Sequence, residues 1–456
     1  MPYILNTTED QQAMLEAIGA GSIAELFEMV PEDLRLKREL KLPPAMTEME
    51  LTAHMAGLAR KNSSASDKVC FLGGGSYDHF IPAVVDYVGS RGEFYTSYTP
   101  YQAEASQGNL QVFFEYQTLI TQLTGMDVSN ASLYDGASAA AEAVLMCLAA
   151  TGRTGRIVLA GSVHPEYRQV VATYLENLDI EVVTVPATQG TVAPEQLLAA
   201  INDRTACVLV QQPNFFGCLE VVAAIGKIAH DAGAMFVVAV DPISLGLLKR
   251  PGEYGADIVV AEGQSLGTPL SYGGPYLGIL ACREQFVRRM PGRITGQTVD
   301  RRGRRCFVLT LQTREQHIRR EKATSNICTN QGLFALRATV YLAAMGPKGM
   351  REVAELCLQK AHYACDRLAA TERLSPAFDR PFFKEFVVRD AAGAVREMLA
   401  EAGEAGYFAG IPLEQWYPDL ADSLLVTVTE KRTKAEIDGL AACLENLSTP
   451  ATAIHA

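Results

Sequence analysis

Positive charge is in short supply: 40 Lys and Arg face 52 Asp and Glu over 456 residues, a formal net charge of −12. That balance repels phosphodiester backbones and anionic bilayers, which excludes nucleic acid and a membrane surface as the main partners. No run of about 18 apolar residues occurs, and the opening MPYILNTTEDQQAML has neither the basic nor the apolar region of a secretory signal. Neither a membrane span nor an exported leader is therefore expected. Cysteine is present ten times, but without any CxxC or paired spacing. This excludes a zinc site and a disulfide framework, and points to reduced thiols in a cytoplasmic protein. Lysine is missing altogether between Lys249 and Lys322, a gap that spans a glycine-rich loop of the kind that holds cofactors in α/β enzymes. Arginine breaks the acidic pattern once, in RRGRRCF at 301–307, which reads as a solvated or intersubunit loop, with an acidic partner as the alternative.

What is there describes a globular enzyme of two to three domains: 48% of residues are hydrophobic and 20% charged, ample for a packed core. From Gly136 onward helix-period stretches alternate with short apolar runs. The helix ASAAAEAVLMCLAATG, closed by Gly152, leads to the strand RIVLAG, the helix PEYRQVVATYLENL and the strand IEVVTVP. The alternation continues through APEQLLAAIN, TACVLVQQ, VVAAIGKIAHDAG and MFVVAVDP to ADIVVAEG and YLGILACR. Strands separated by such helices predict an α/β fold with a mainly parallel sheet covered on both faces. Before it, PEDLRLKREL and TEMELTAHMAGLARKN read as helices of an N-terminal helical arm, residues 1–90; the large α/β domain takes 91–310. Residues 311–456 read as a small C-terminal α+β domain, with helices QGLFALRATVYLAAMG, REVAELCLQKAHYACDRLAA and TKAEIDGLAACLENL and strands FFKEFVVR and SLLVTVTE.

Ligands of such sheets sit beyond the carboxyl ends of the strands. The candidates are therefore His164 and Glu166, residues 211–214, residues 241–244 and residues 262–265. Asp241 directly follows a strand. It could pair with a protonated ring nitrogen, or simply cap the turn that begins at Pro242. Two stretches could cradle an anion: FLGGGSYDHF, which lacks a P-loop lysine and Rossmann spacing, and YDGASAAAEAV, where Asp135 precedes a helix start and could equally be an ordinary cap. The most unusual stretch, residues 93–120, sets Tyr95, Tyr98, Tyr101 and Tyr116 among Thr, Ser, Pro and Gln. Pro100 forces an extended segment before a helix near Glu104. Tyrosines plugging an interface are the structural alternative to a ligand role.

The stretches YTPYQAEASQGNLQVFFEYQTLITQLTGMDVSNASLYDGASAAAEAV and DPISLGLLKRPGEYGADIVVAEGQSLGTPLSYGGPYLG resemble the P proteins of the glycine cleavage system, in particular the N-terminal subunit of the two-subunit form, and the resemblance runs over essentially the whole chain. It implies a fold-type I PLP-dependent transferase-like architecture, with pyridoxal 5'-phosphate (PLP) bound by a lysine-bearing subunit 2. In that partner the lysine precedes one proline of the loop by five positions and the last by eleven. Here Pro269 and Pro275 both count back to position 264, since 269 − 5 and 275 − 11 agree, and 264 is glutamine.

The resemblance implies a reaction that decarboxylates glycine with PLP and passes the aminomethyl group to the lipoyl arm of the H protein. This chain then belongs to a heterotetramer, α2β2, and holds no cofactor itself. Asp241 and Gln264 mark a vestigial site in the large domain. Tyr98 and Tyr101 are the candidates to reach the partner's active site, with Ser76, Tyr77 and Asp78 as a second set. Two alternatives remain open: a self-sufficient PLP enzyme using Lys249 or Lys322, and a non-catalytic scaffold or regulator of the partner.

Overall fold

The computed structural model describes residues 6–323, 325–329 and 331–446. The terminal residues of the arm and small domain expected from sequence, 1–5 and 447–456, lie outside them. The chain divides into two units, Met1–Ser63 and Ser64–Ala456.

The first unit is made of local signals alone. Helix α1 (Thr8–Ile18) opens on a capping box between Thr7 and Asp10 and ends at Gly19 in the left-handed region, φ 73°. Helix α2 (Glu48–Ala59) opens on a second box, Thr47 with Glu50. PEDLRLKREL does not form the expected helix: only Glu32–Leu34 makes a 3-10 turn, and Arg35 is already extended at φ −76°, ψ 132°. Leu34, Leu36 and Leu40 stand exposed, and a short helix whose apolar side chains meet nothing is marginal in water. Leu15 is the one buried side chain of this unit among the described residues.

The second unit is organised by a seven-stranded sheet. Its strands are β1 (Val128–Ser129), β2 (Arg156–Ala160), β3 (Glu181–Val185), β4 (Thr205–Gln212), β5 (Met235–Val240), β6 (Ile258–Glu262) and β7 (Gly278–Cys282). The spatial order is β1-β7-β6-β5-β4-β2-β3. Strands β2 to β6 pair in parallel, and β7 is antiparallel to both β6 and β1. All of β5 is buried, as expected of a strand covered on both faces.

Helix α3 (Gln107–Thr124) starts three residues later than sequence suggested, behind a turn over 103–105. Helix α4 (Gly136–Thr151) is buried almost throughout its first three turns, and Gly152 closes it at φ 67°. Its run of alanines lets it lie close against the sheet, so a helix with no polar face persists there. Helices α5 (Pro165–Leu175), α6 (Pro194–Ala200) and α7 (Val222–Asp231) complete the crossovers. The arginine run sits at the exposed tip of the hairpin β8 (Ile294–Val299) and β9 (Arg305–Thr310).

Helix α8 (Gly332–Ala369) spans the two helices read from sequence; Gly346, at φ 58° and ψ −178°, breaks it just before Pro347. A four-stranded antiparallel sheet follows, made of β10 (Leu374–Pro376), β11 (Glu385–Asp390), β12 (Ile411–Pro412) and β13 (Ser423–Thr427), in the order β10-β11-β13-β12. Helices α9 (Val395–Glu404) and α10 (Lys434–Asn446) share a core with it.

Residues 69 and 70 pair in parallel with Tyr407 and Phe408 of this small layer. The loop 73–79 then runs between β11 and the carboxyl ends of β5 and β6. Gly73 has no alternative there, because a Cβ would overlap Thr427 Oγ1 and Glu385 Oε1.

Candidate functional site

Asp241 leaves β5 at its carboxyl end. Its Oδ1 accepts the Ile243 N–H at 3.1 Å, capping the 3-10 turn Pro242–Gly246. Its Oδ2 faces a cation, the Lys384 Nζ at 2.9 Å. The cap is one of the two roles read from the sequence, and the other oxygen meets a lysine of this chain where a ring nitrogen was the alternative. Oδ2 receives no aligned hydrogen bond, so the attraction across this contact is Coulombic.

Lys384 immediately precedes β11, and its side chain is only 1% exposed. Its ammonium lies 3.4 Å from the centroid of the Tyr77 ring and 3.0 Å from His79 Nε2. An ammonium has only donors, so His79 presents a lone pair at Nε2 and carries its proton on Nδ1, which donates to Glu430 Oε2 at 2.6 Å. Burial would raise the Glu430 pKa, but His79 and the Phe80 N–H outweigh it and hold the carboxyl down at about 2. Sequence reasoning passed over Lys384 as part of an apolar strand. The available signal was a Lys–Glu pair inside a run otherwise fit for burial, since such charges are buried only when paired.

Gln264 is likewise buried, and each of its amide's polar roles is filled. Oε1 accepts the Tyr77 N–H at 2.8 Å, while Nε2 donates to the carbonyls of Tyr77 at 3.1 Å and Thr268 at 2.7 Å. Tyr77 points inward and donates its hydroxyl to Glu385 Oε2 at 2.9 Å. Glu385 also accepts from the Gly74 N–H at 2.8 Å and Thr427 Oγ1 at 2.9 Å, yet burial still raises its pKa. Asp78 forms ion pairs with Lys431 at 2.6 Å and Arg432 at 3.1 Å. Tyr77 and Asp78 are thus engaged within this chain.

Ser76 lines a cleft of about 350 Å³ beside this cluster, together with Asp135, His164, Glu166, Glu262 and Tyr276. Glu262 ends β6 and accepts three backbone N–H groups, from Gly136 at 3.0 Å, Gln264 at 2.9 Å and Leu277 at 3.1 Å. Burial nevertheless pushes its pKa up to about 8. Asp135 caps the Ser138 N–H at 2.7 Å, so the start of α4 is an ordinary cap joined by a carboxylate from β6. Burial lowers the His164 pKa to about 4. The neutral ring donates from Nε2 to the Gly74 carbonyl at 2.6 Å, accepts the Glu166 N–H at Nδ1 at 3.2 Å, and stacks on Tyr167. Both ring nitrogens are engaged, which leaves no proton-transfer role there. Gln211, Gln212 and Asn214 likewise bond to neighbouring loops.

His79, Cys357 and Glu430 bring ligand atoms within 4.8 Å of one another. A tetrahedral metal about 2.0 Å from each ligand would hold the His79 and Glu430 atoms roughly 3.3 Å apart, and their separation of 2.6 Å is that of a hydrogen bond.

Tyr98 and Tyr101 lie elsewhere, 82% and 67% exposed. The Tyr101 ring rests on the Arg293 guanidinium at 5.4 Å, and Arg293 pairs with Glu315 at 3.4 Å. The structure therefore gathers Asp241, Gln264, Ser76 and Tyr77 around one strand edge and leaves the two tyrosines on the surface.

Residues 1–444 match the family described as glycine cleavage system P-protein. A relative from Carboxydothermus hydrogenoformans, named "Probable glycine dehydrogenase (decarboxylating) subunit 1", is 55% identical over 96% of this chain and 98% of its own length. A relative of the same name from Moorella thermoacetica is 53% identical over 98% of this chain and 100% of its own. A crystal structure of glycine decarboxylase (P-protein) of the glycine cleavage system, in inhibitor-bound form, superposes with a TM-score of 0.90 at 42% identity, covering 98% of this chain and 99% of that one. Sphingosine-1-phosphate lyase of Burkholderia pseudomallei shares the fold at a TM-score of 0.65 and 16% identity, covering 89% of this chain and 92% of that one. The common architecture is fold type I of the PLP enzymes, and the chain belongs to the glycine cleavage system P-protein family.

Proposed function

We propose that this chain is the lysine-less subunit of a two-subunit glycine dehydrogenase (decarboxylating), and that it supports an active site whose PLP is held by a lysine-bearing partner. The observation that carries this reading is Gln264: at the place of the expected lysine stands an amide with its acceptor and both donors engaged. An amide nitrogen is not a nucleophile and cannot take up an aldehyde. Lys249 and Lys322 are exposed, which favours a supporting role over a self-sufficient enzyme. The remaining residues do not fit the cofactor either. Asp241 faces Lys384, and the first amides of α4 are held by Glu262 and Asp135. No step of the reaction is therefore routed through this chain's own Asp241 site.

In the partner, PLP supplies the electron sink for loss of CO2 from glycine. This chain's part is to shape the site, exclude water and offer hydrogen bonds from Tyr98 and Tyr101. Exposed aromatic rings favour that reading, because Phe80, Tyr87, Tyr95, Tyr98 and Tyr101 crowd one segment and aromatics are enriched at interfaces. The first unit points the same way: Met29, Leu42 and Met49 are exposed on an arm without a core of its own. Relatives named subunit 1 imply a second subunit. We take the assembly to be α2β2, with the aminomethyl group passed to the lipoyl arm of the H protein. The compartment we assign is the cytoplasm, which fits ten free cysteines; among the described residues no helix is long and apolar enough to cross a membrane.

Co-purification with the lysine-bearing subunit, followed by exchange of glycine against bicarbonate, tests the reading. The chain alone should be colourless with added PLP and inactive, and the pair active. A stoichiometric borohydride-fixed PLP adduct on any lysine of the wild-type chain would overturn it.

A further inference from the structure

A carboxylate at the end of β5, a position at which this fold offers a charge to a cofactor's ring nitrogen, is already matched by a charge from the chain itself. Lys384 reaches across from the small layer and sets its ammonium 2.9 Å from Asp241 Oδ2, over the face of Tyr77 and against the lone pair of His79. Each of these three neighbours selects for a cation or a donor: a carboxylate, a π face and an imidazole nitrogen. All of these groups are largely buried: the Lys384 side chain is 1% exposed and that of Asp241 9%, and Tyr77 and His79 are buried beside them.

We infer that Lys384 is the residue that decides which subunit can hold the cofactor: its ammonium takes the place of a pyridinium at Asp241 and keeps a pyridoxal ring out of this chain. The inference rests on the supporting-subunit reading above and adds to it. Gln264 explains why no covalent link forms. Lys384 explains why the ring finds no seat even without one.

Two features support the assignment. The ring nitrogen and the aldehyde carbon of pyridoxal lie at opposite ends of the ring, so an amine that touches Asp241 stands at the nitrogen end and cannot serve as the missing lysine. Tyr77, the ring on which the ammonium rests, is itself anchored by Gln264 through its main chain and by Glu385 through its hydroxyl. The plug is thereby built from both layers: Asp241 and Gln264 belong to the large sheet, Lys384 and Glu385 to the small one. It ties the two together where an open cofactor cleft would separate them.

The test uses the full chain produced together with its lysine-bearing partner. Glu262 and Asp135 already hold the amides at the start of α4, so the probe is pyridoxal, which carries no phosphate. Wild type, Gln264→Lys and Gln264→Lys/Lys384→Ala are treated with pyridoxal and borohydride, and adducts are mapped to peptides of this chain. The double variant should be labelled at position 264 at least about tenfold more than Gln264→Lys, the ratio that roughly 1.4 kcal/mol of ring binding would produce. Equal labelling of the two, or a folded double variant without label, overturns the inference. A stoichiometric adduct on one lysine of the wild-type chain, above the background on exposed lysines, would instead overturn the supporting-subunit reading.

Lys384→Ala strands a buried carboxylate, and such variants can fail to fold. The pair Lys384→Ala and Lys384→Ala/Asp241→Asn covers that case. If the ammonium is there to answer the Asp241 charge, the second substitution restores much of the melting temperature lost by the first, and a further loss overturns the inference.

Discussion

Gln264 holds the main chain of Tyr77 from both sides, accepting its N–H at 2.8 Å and donating to its carbonyl at 3.1 Å. The side chain at the position where the proposed function expects the partner's lysine thus fastens the loop 73–79 into the edge of the sheet.

Gln264→Ala should accordingly cost stability, because it takes from the Tyr77 N–H and the Thr268 carbonyl the partners they have in Gln264, while the Tyr77 carbonyl keeps the His79 N–H. The penalty for one such group is about 1–3 kcal/mol. Urea unfolding of the assembled protein should show a lower midpoint at unchanged slope. A wild-type midpoint would mean that the loop is held by other contacts.

Tyr98→Phe should slow the assembled enzyme without affecting assembly. The hydroxyl removed is worth about 0.5–1.5 kcal/mol with a neutral partner and about 1.5–3 with a charged one. The expected loss in catalytic efficiency is on the order of tenfold. Tyr98 is 82% exposed and packs into no core, so the ring that remains can keep its contacts. Glycine–bicarbonate exchange and the mass of the complex decide together: equal rates with intact assembly would leave Tyr98 as part of a scaffold, and failed assembly would make it a structural contact.

Acid should weaken the molecule through Glu430. Its folded pKa, about 2, lies below its ordinary value of 4.5. Its stabilisation is therefore complete above pH 4.5 and is lost as pH falls through about 2, because the unfolded chain binds the proton first. The whole window is worth on the order of 3 kcal/mol. Glu430→Gln should flatten the dependence of the unfolding midpoint on pH across that range, and an unchanged acid limb would show that other carboxylates set it.

Glu262 has the opposite sign. Burial raises its folded pKa to about 8, so the folded chain binds the extra proton between pH 4.5 and 8. Its effect is most favourable below pH 4.5 and declines as pH rises through that window. Glu262→Gln shifts overall stability as well, since its amide N–H groups would confront the Gly136 N–H. The measurement of interest is the slope of stability against pH, which should become less negative between 4.5 and 8. A slope identical to wild type would contradict the assignment.

Much of this architecture is legible in the sequence for a local reason. The alternation of helices and strands, the closure of α4 at Gly152 and the placement of Asp241 at a strand end all follow from periodicity and end signals within a dozen residues. Position 264 is singled out by the resemblance, through its distances to Pro269 and Pro275 in one loop. The tertiary structure alone decides the partners. Lys384 meets Asp241, and Tyr77 turns inward beneath it, only because β11 and the loop 73–79 are carried against the end of β5 by the packing of two sheets. PEDLRLKREL fails as a helix for the converse reason: its local pattern suits one, and no packing surface rewards it. Periodicity specifies which face of an element is apolar, whereas the charge a buried lysine will answer lies on an element distant in sequence, brought there by the fold.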